Sequence, residues 1–185
     1  MPRFRTAALA AVFGLVASAA SAQETVTVGG QPMYPAKNIV ENAVNSADHT
    51  TLVAAVQAAG LVETLQGPGP FTVFAPTNAA FEELPAGTVD TLLMPQNRDQ
   101  LTGVLTYHVV PGRLDSEALE EMIEEGGGSA TLETVSGGTL TVMANGPMNI
   151  AVEDATGGVA NISTYDVHQS NGVIHVIDKV LLPAS

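Results

Sequence analysis

The chain has 185 residues, 45% of them hydrophobic, with no cysteine, no tryptophan and a formal net charge of −13. That length suits one hydrophobic core, and the apolar content is too high for a disordered chain. Without cysteine there is neither a disulfide framework nor a residue for lipoprotein anchoring, and so acidic a surface repels nucleic acid and anionic membranes.

In chain order, Arg3 and Arg5 precede an apolar run from Ala7 to Val16 and the small residues Ala20-Ser21-Ala22. This pattern is that of a secretory signal peptide, residues 1–22, cleaved after Ala22. The run is short for a membrane span, and no later stretch approaches one, so the mature chain is expected to lack an integral membrane segment. Export predicts a secreted or periplasmic protein. Four basic residues then remain, Lys37, Arg98, Arg113 and Lys179, against nineteen acidic ones, and the balance moves to −15. Residues 23–36 are polar, with Pro32 and Pro35, and read as an extended leader before a single domain, residues 37–183. Pro35 can open a helix at its first position, ahead of the stripe Ile39, Val40, Ala43 and Val44. Asp48 is placed to cap a second helix with Leu52, Val53 and Val56 inside, and Gly60-Leu61 has the pattern of a helix stop.

A loop of alternating glycine and proline, Gly67 to Pro70, delivers the chain to FTVFAPTNAAF, residues 71–81. Here Phe71, Val73 and Ala75 alternate with Thr72, Phe74 and Pro76, all suited to a strand buried on both faces. Pro76 cannot donate to a ladder, so pairing should stop there, and Thr77 stands where an N-cap belongs. Phe81 on the following short helix points back to the core. Leu101, Val104 and Leu105 mark a further helix face running into Tyr107-His108, and Asp115 or Ser116 caps EALEEMIEE. From Ser129 onward the period changes to two. Strands are predicted at 131–135, 139–143, 149–152, 159–163 and 173–182, separated by glycine or asparagine turns. A helix-rich first half and strand-rich second half predict an α+β fold, with helices beside a largely antiparallel sheet.

Candidate chemistry is sparse. The four histidines, His49, His108, His168 and His175, lack the short spacings that preorganise metal ligands. His108 and His175 sit in apolar surroundings and read as buried rings held by hydrogen bonds. The acidic pairs Glu82-Glu83, Glu120-Glu121, Glu124-Glu125 and Glu153-Asp154 read as solvated surface rather than as an acid–base couple. No calcium loop, nucleophile elbow or phosphate-binding glycine loop is present in the sequence, and no metal or other cofactor is expected.

Three ordered segments resemble the signatures of the fasciclin domain family: the stretch 71–81 with Phe71, Phe74, Pro76, Thr77 and Phe81; the pair Tyr107-His108; and NGVIHVIDKVLLP, residues 171–183, with Asn171, Gly172, His175 and Asp178. The resemblance implies a fasciclin-like β-sandwich or wedge with helices packed alongside. It also implies a non-catalytic module for binding or adhesion, acting on a cell-surface or envelope protein or polysaccharide, or on a second copy of itself. In that family the tyrosine–histidine pair is structural and is implicated in adhesive contacts of animal members. Asp166-Val167 falls where some animal members carry an Asp-Ile pair used in integrin adhesion, with valine here in place of isoleucine. The expected contact surface is therefore an exposed loop at Asp166 and Val167 with Tyr107 and His108 beside it. The other reading of Asp166 is an inter-strand loop residue that stabilises its own backbone. A periplasmic carrier of a small apolar ligand, seated in a cleft between helices and sheet, is the rival function.

Overall fold

The structure, a computed structural model, describes residues 25–146 and 149–184. The signal peptide read from residues 1–22 lies outside them. The first described segment departs from the expected leader. Strands β1 (Val26–Val28) and β2 (Gln31–Met33) form a hairpin across Gly29-Gly30, and Val28 and Met33 are buried in the core. Two glycines with positive φ permit the tight turn, and the apolar residues on either side of it give the hairpin a face to bury. The core thus begins before residue 37.

Helix α1 (Ile39–Ala43) starts later than Pro35 because Asn38 and Glu41 form a reciprocal capping box. A 3₁₀ turn at Ala47–His49 takes the place expected for a cap at Asp48, and α2 (Thr50–Ala59) follows it. The cap of α2 comes from elsewhere: Asn78 Oδ1 accepts from Thr51 N at 3.0 Å, while Asn78 Nδ2 donates to the Ala47 carbonyl. Gly60, in the left-handed conformation, ends α2 as expected, with Leu61 N donating back to the Val56 carbonyl. Short helices α3 (Val62–Leu65), α4 (Asn78–Glu82) and α5 (Thr88–Leu92), then α6 (Arg98–Tyr107), complete this layer. Thr77 caps α4 through Ala80 N, as its position predicts.

The seven remaining strands form one mixed sheet. They are β3 (Phe71–Pro76), β4 (Val109–Pro111), β5 (Ser129–Glu133), β6 (Thr139–Ala144), β7 (Ile150–Glu153), β8 (Val159–Gln169) and β9 (Gly172–Ile177), in the spatial order β4-β3-β9-β8-β7-β6-β5. All neighbours are antiparallel except β3 and β9, which run parallel from Phe71↔Gly172 to Pro76↔Ile177. The sheet curls until Val135 N, just after β5, donates to the Val109 carbonyl of β4. Helix α7 (Ser116–Glu125), capped by Asp115, packs Leu119 and Ile123 against the curled part.

Strands β3 and β9 are the wall between two cores. Val73, Ala75, Ile174 and Val176 face the helices α1–α6, while Phe74 and Ile177 face the inside of the curled sheet. Strand alternation alone assigns these sides. Each core gets the residues of one parity, so the hub supports both.

Candidate functional site

The sequence-predicted contact residues lie further inside than expected. Strand β8 runs on to Gln169, past the predicted end at residue 163, with two irregularities in its pairing to β9. Asp166-Val167 therefore belongs to a bulged strand, not to an exposed loop. Val167 packs into the helix-side core opposite Ile174. Asp166 has φ 54° and is half-buried, and its carboxylate accepts from Ser116 N at 2.7 Å and from the Ser116 hydroxyl. Two extra residues in β8 turn Asp166 toward the start of α7, where a carboxylate suits free N–H groups.

Tyr107 and His108 are also buried, with 0% and 2% of their surface exposed. The Tyr107 hydroxyl donates to the Thr139 carbonyl at 2.6 Å and accepts from Ala155 N at 2.9 Å. His108 Nδ1 meets the Val104 carbonyl at 2.8 Å, and Nε2 accepts from Leu181 N at 2.9 Å. Since Nε2 accepts, the proton of the neutral ring is on Nδ1. Burial lowers the His108 pKa to about 4, against the opposing pull of the Val104 carbonyl and Asp154. No hydrogen bond joins this pair to Asp166 among the described residues, so the four residues do not form one surface.

The signature residues hold the wall together. His175 is wholly buried; its Nε2 lies 2.8 Å from the Leu114 carbonyl and its ring stacks on Phe74 at 5.8 Å. Burial pushes its pKa down, opposed by the Leu114 carbonyl, Asp166 and Asp115. Asn171 links three elements: its Oδ1 accepts from Ile39 N, and its Nδ2 donates to the carbonyls of Leu65 and Gly67. Gly172 is required by proximity, because a Cβ there would stand 2.2 Å from the Phe71 carbonyl oxygen. Asp178 is exposed and accepts from the backbone and side-chain nitrogens of Asn161. Phe71 is half-buried, while Pro76 and Phe81 are buried.

Two further polar residues matter more than their sequence reading allowed. Asp154, read as solvated, is only 7% exposed. Its Oδ1 accepts from Thr156 N, the Thr156 hydroxyl and Gly158 N, and its Oδ2 from Leu182 N. Burial opposes its ionisation, yet these four donors outweigh burial and hold its pKa below the usual carboxylate range. The Asp-x-Thr-x-Gly spacing is the signal that finds this turn in the sequence. Together His108 and Asp154 hold residues 181 and 182, where a sheet ladder was expected but β9 has stopped at Ile177.

The second residue is His49, which no sequence spacing distinguishes. It is 3% exposed; its Nδ1 lies 2.8 Å from the Ser46 hydroxyl, and its Nε2 is buried with no hydrogen-bond partner among the described residues. It lines a void of about 60 Å³ between the helices and the β3–β9 wall, with Ile39, Leu52, Val56, Val73 and Ile174 among its neighbours. Among the described residues no three His, Asp or Glu side chains converge as metal ligands would, and no helix is long and apolar enough to cross a membrane.

Comparison with known proteins places this geometry in context. Residues 47–183 match the profile of the fasciclin domain. Protein sll1483 of Synechocystis is 47% identical over 150 residues, covering 80% of this chain and 74% of that protein. The cell surface glycolipoprotein MPB83 of Mycobacterium bovis is 37% identical over 123 residues, covering 66% of this chain and 48% of that one. Among solved structures, the domain pair of the insect cell adhesion molecule fasciclin I superposes with a TM-score of 0.70 at 19% identity, covering 79% of this chain. The chain spans 51% of that two-domain structure, and the likeness is one of fold.

Proposed function

Because the chain belongs to the fasciclin domain family, we propose that it is an exported, non-catalytic binding module for a protein or polysaccharide of the cell surface or envelope. The observation that carries this reading is how its polar side chains are used. Of the five buried titratable side chains among the described residues, His49 has one ring nitrogen on Ser46 and the other in a mostly aliphatic lining without a carboxylate; the remaining four are Tyr107, His108, His175 and Asp154. Each has its polar atoms committed to backbone groups of the same domain. General acid–base catalysis needs such a group free to meet a substrate proton. The cell-surface relative supports an exterior location. Contact then falls to residues left outside, on an acidic surface. Of the four residues expected at that surface, Asp166 alone keeps partial exposure, and Ser116 already holds its carboxylate.

The test is a binding isotherm of the labelled domain, residues 23–185, on envelopes of the producing cell. Saturable retention, displaced by unlabelled domain and not by another acidic protein, is the expected result; retention no greater than that control would overturn the reading. Asp166→Ala, compared per folded molecule, is expected to leave retention unchanged, since its carboxylate is engaged by Ser116.

A further inference from the structure

We propose that the void beside His49 is a binding site for a small, mostly apolar molecule carrying one neutral oxygen acceptor, a carbonyl or a hydroxyl. The inference is independent of envelope binding and rests on an uncompensated donor. Ser46 is buried, and the His49 Nδ1 is the hydrogen-bond partner of its hydroxyl among the described residues. A buried hydroxyl hydrogen with one acceptor in reach points to it, so Ser46 donates and Nδ1 accepts. The ring proton is then on Nε2. That N–H is buried and has no hydrogen-bond partner among the described residues. The Ala75 carbonyl is near enough to favour a protonated ring but does not reach bonding geometry with Nε2.

Leaving such a donor unpaired is costly, and native proteins rarely do so without a use for it. The surroundings define the rest of the ligand. Apart from His49, Ser46, Phe74 and His108, whose two ring nitrogens are already bonded, the buried part of the lining is aliphatic, supplied mainly by α1, α2, β3 and β9. The void reaches the surface between α1, α2 and α3, where Val40, Val53 and Val62 are half-buried and Gln57 is exposed. This gives an apolar passage ending in a single donor, the layout of a small-ligand site. Burial lowers the His49 pKa against the opposing effects of Ala75 and Asp48, so the ring is neutral near pH 7. A neutral acceptor matches it, whereas a carboxylate would bring an unbalanced charge among aliphatic side chains.

The experiment is an NMR titration of the ¹⁵N-labelled domain with cyclopentanone and, separately, with cyclopentane. The two rings are close in size, and one of them lacks the acceptor. Cyclopentanone is expected to move the His49 Nε2–H resonance and to bind roughly tenfold more tightly than cyclopentane. His49→Phe should abolish that preference while leaving weak binding of both rings. Three outcomes would overturn the proposal: binding of neither ring, equal affinity of the wild-type protein for both, or shifts that map away from His49. The wild-type comparison stands on its own if the variant does not fold.

Discussion

Acid should loosen this domain well above the range in which carboxylates titrate, and His108 is the reason. In the unfolded chain its imidazole takes up a proton near its ordinary pKa of 6.5, but in the fold only near 4. Protonation would place an N–H on Nε2 facing the Leu181 N–H, setting two donors against each other. Between those pH values the unfolded state holds more protons, so stability falls as pH falls, beginning near 6.5 and ending near 4. The gap corresponds to about 3 kcal/mol for this one residue, most of it lost by about pH 4.5. His49 and His175, also lowered by burial, act in the same direction. Urea unfolding followed by far-UV circular dichroism should therefore show a loss of about 2–3 kcal/mol between pH 7.5 and pH 4.5. His108→Gln should start from a lower stability and lose less over the same interval. Equal stability of the wild-type domain at both pH values would refute the reasoning, as would an undiminished loss in the variant.

Other substitutions probe the scaffold directly. Phe74→Ala, which empties a wholly buried site on the wall, should cost about 3–5 kcal/mol in urea unfolding. Gly172→Ala forces a Cβ into the Phe71 carbonyl and should separate β3 from β9, lowering stability by about 1–3 kcal/mol or preventing folding. Asp154→Asn replaces one carboxylate oxygen by an N–H₂ group, which then faces either Leu182 N or the donors of Thr156 and Gly158, and should cost about 2 kcal/mol, with earlier hydrogen exchange at Leu182 N. Because the folded pKa of Asp154 is lowered, its contribution is present above the ordinary carboxylate pKa and is lost only as pH falls through the lower value. Urea unfolding of the wild-type domain and of Asp154→Asn at about pH 6 and again below about pH 4 checks this, since the difference between them should shrink as Asp154 is protonated.

The two cores explain why some readings from sequence hold and others do not. Alternation in residues 71–76 and 172–177 is a property of neighbours two residues apart, so both strands and their buried faces are legible directly. The caps at Thr77 and Asp115 and the stop at Gly60 are equally local, each settled within about four residues. Asp166 shows the limit. A glycine-free run from Val159 to Gln169 does not reveal that two residues bulge and swing a carboxylate onto Ser116, fifty positions away.

What the chain's order of residues determined unaided is most of the helices and strands from Ile39 onward and the inward parity of the hub, while the β1–β2 hairpin and the ends of β8 and β9 escaped it. The folded arrangement alone decided which distant groups meet: Asn78 with the start of α2 and His108 with Leu181 across 73 residues, while His49 Nε2 is left without a hydrogen-bond partner among the described residues. Local hydrogen bonds and periodicity act over a few residues and are written in any short window. Partners brought together by packing depend on the loops and bulges between them, and these set position through the sum of many weak contacts.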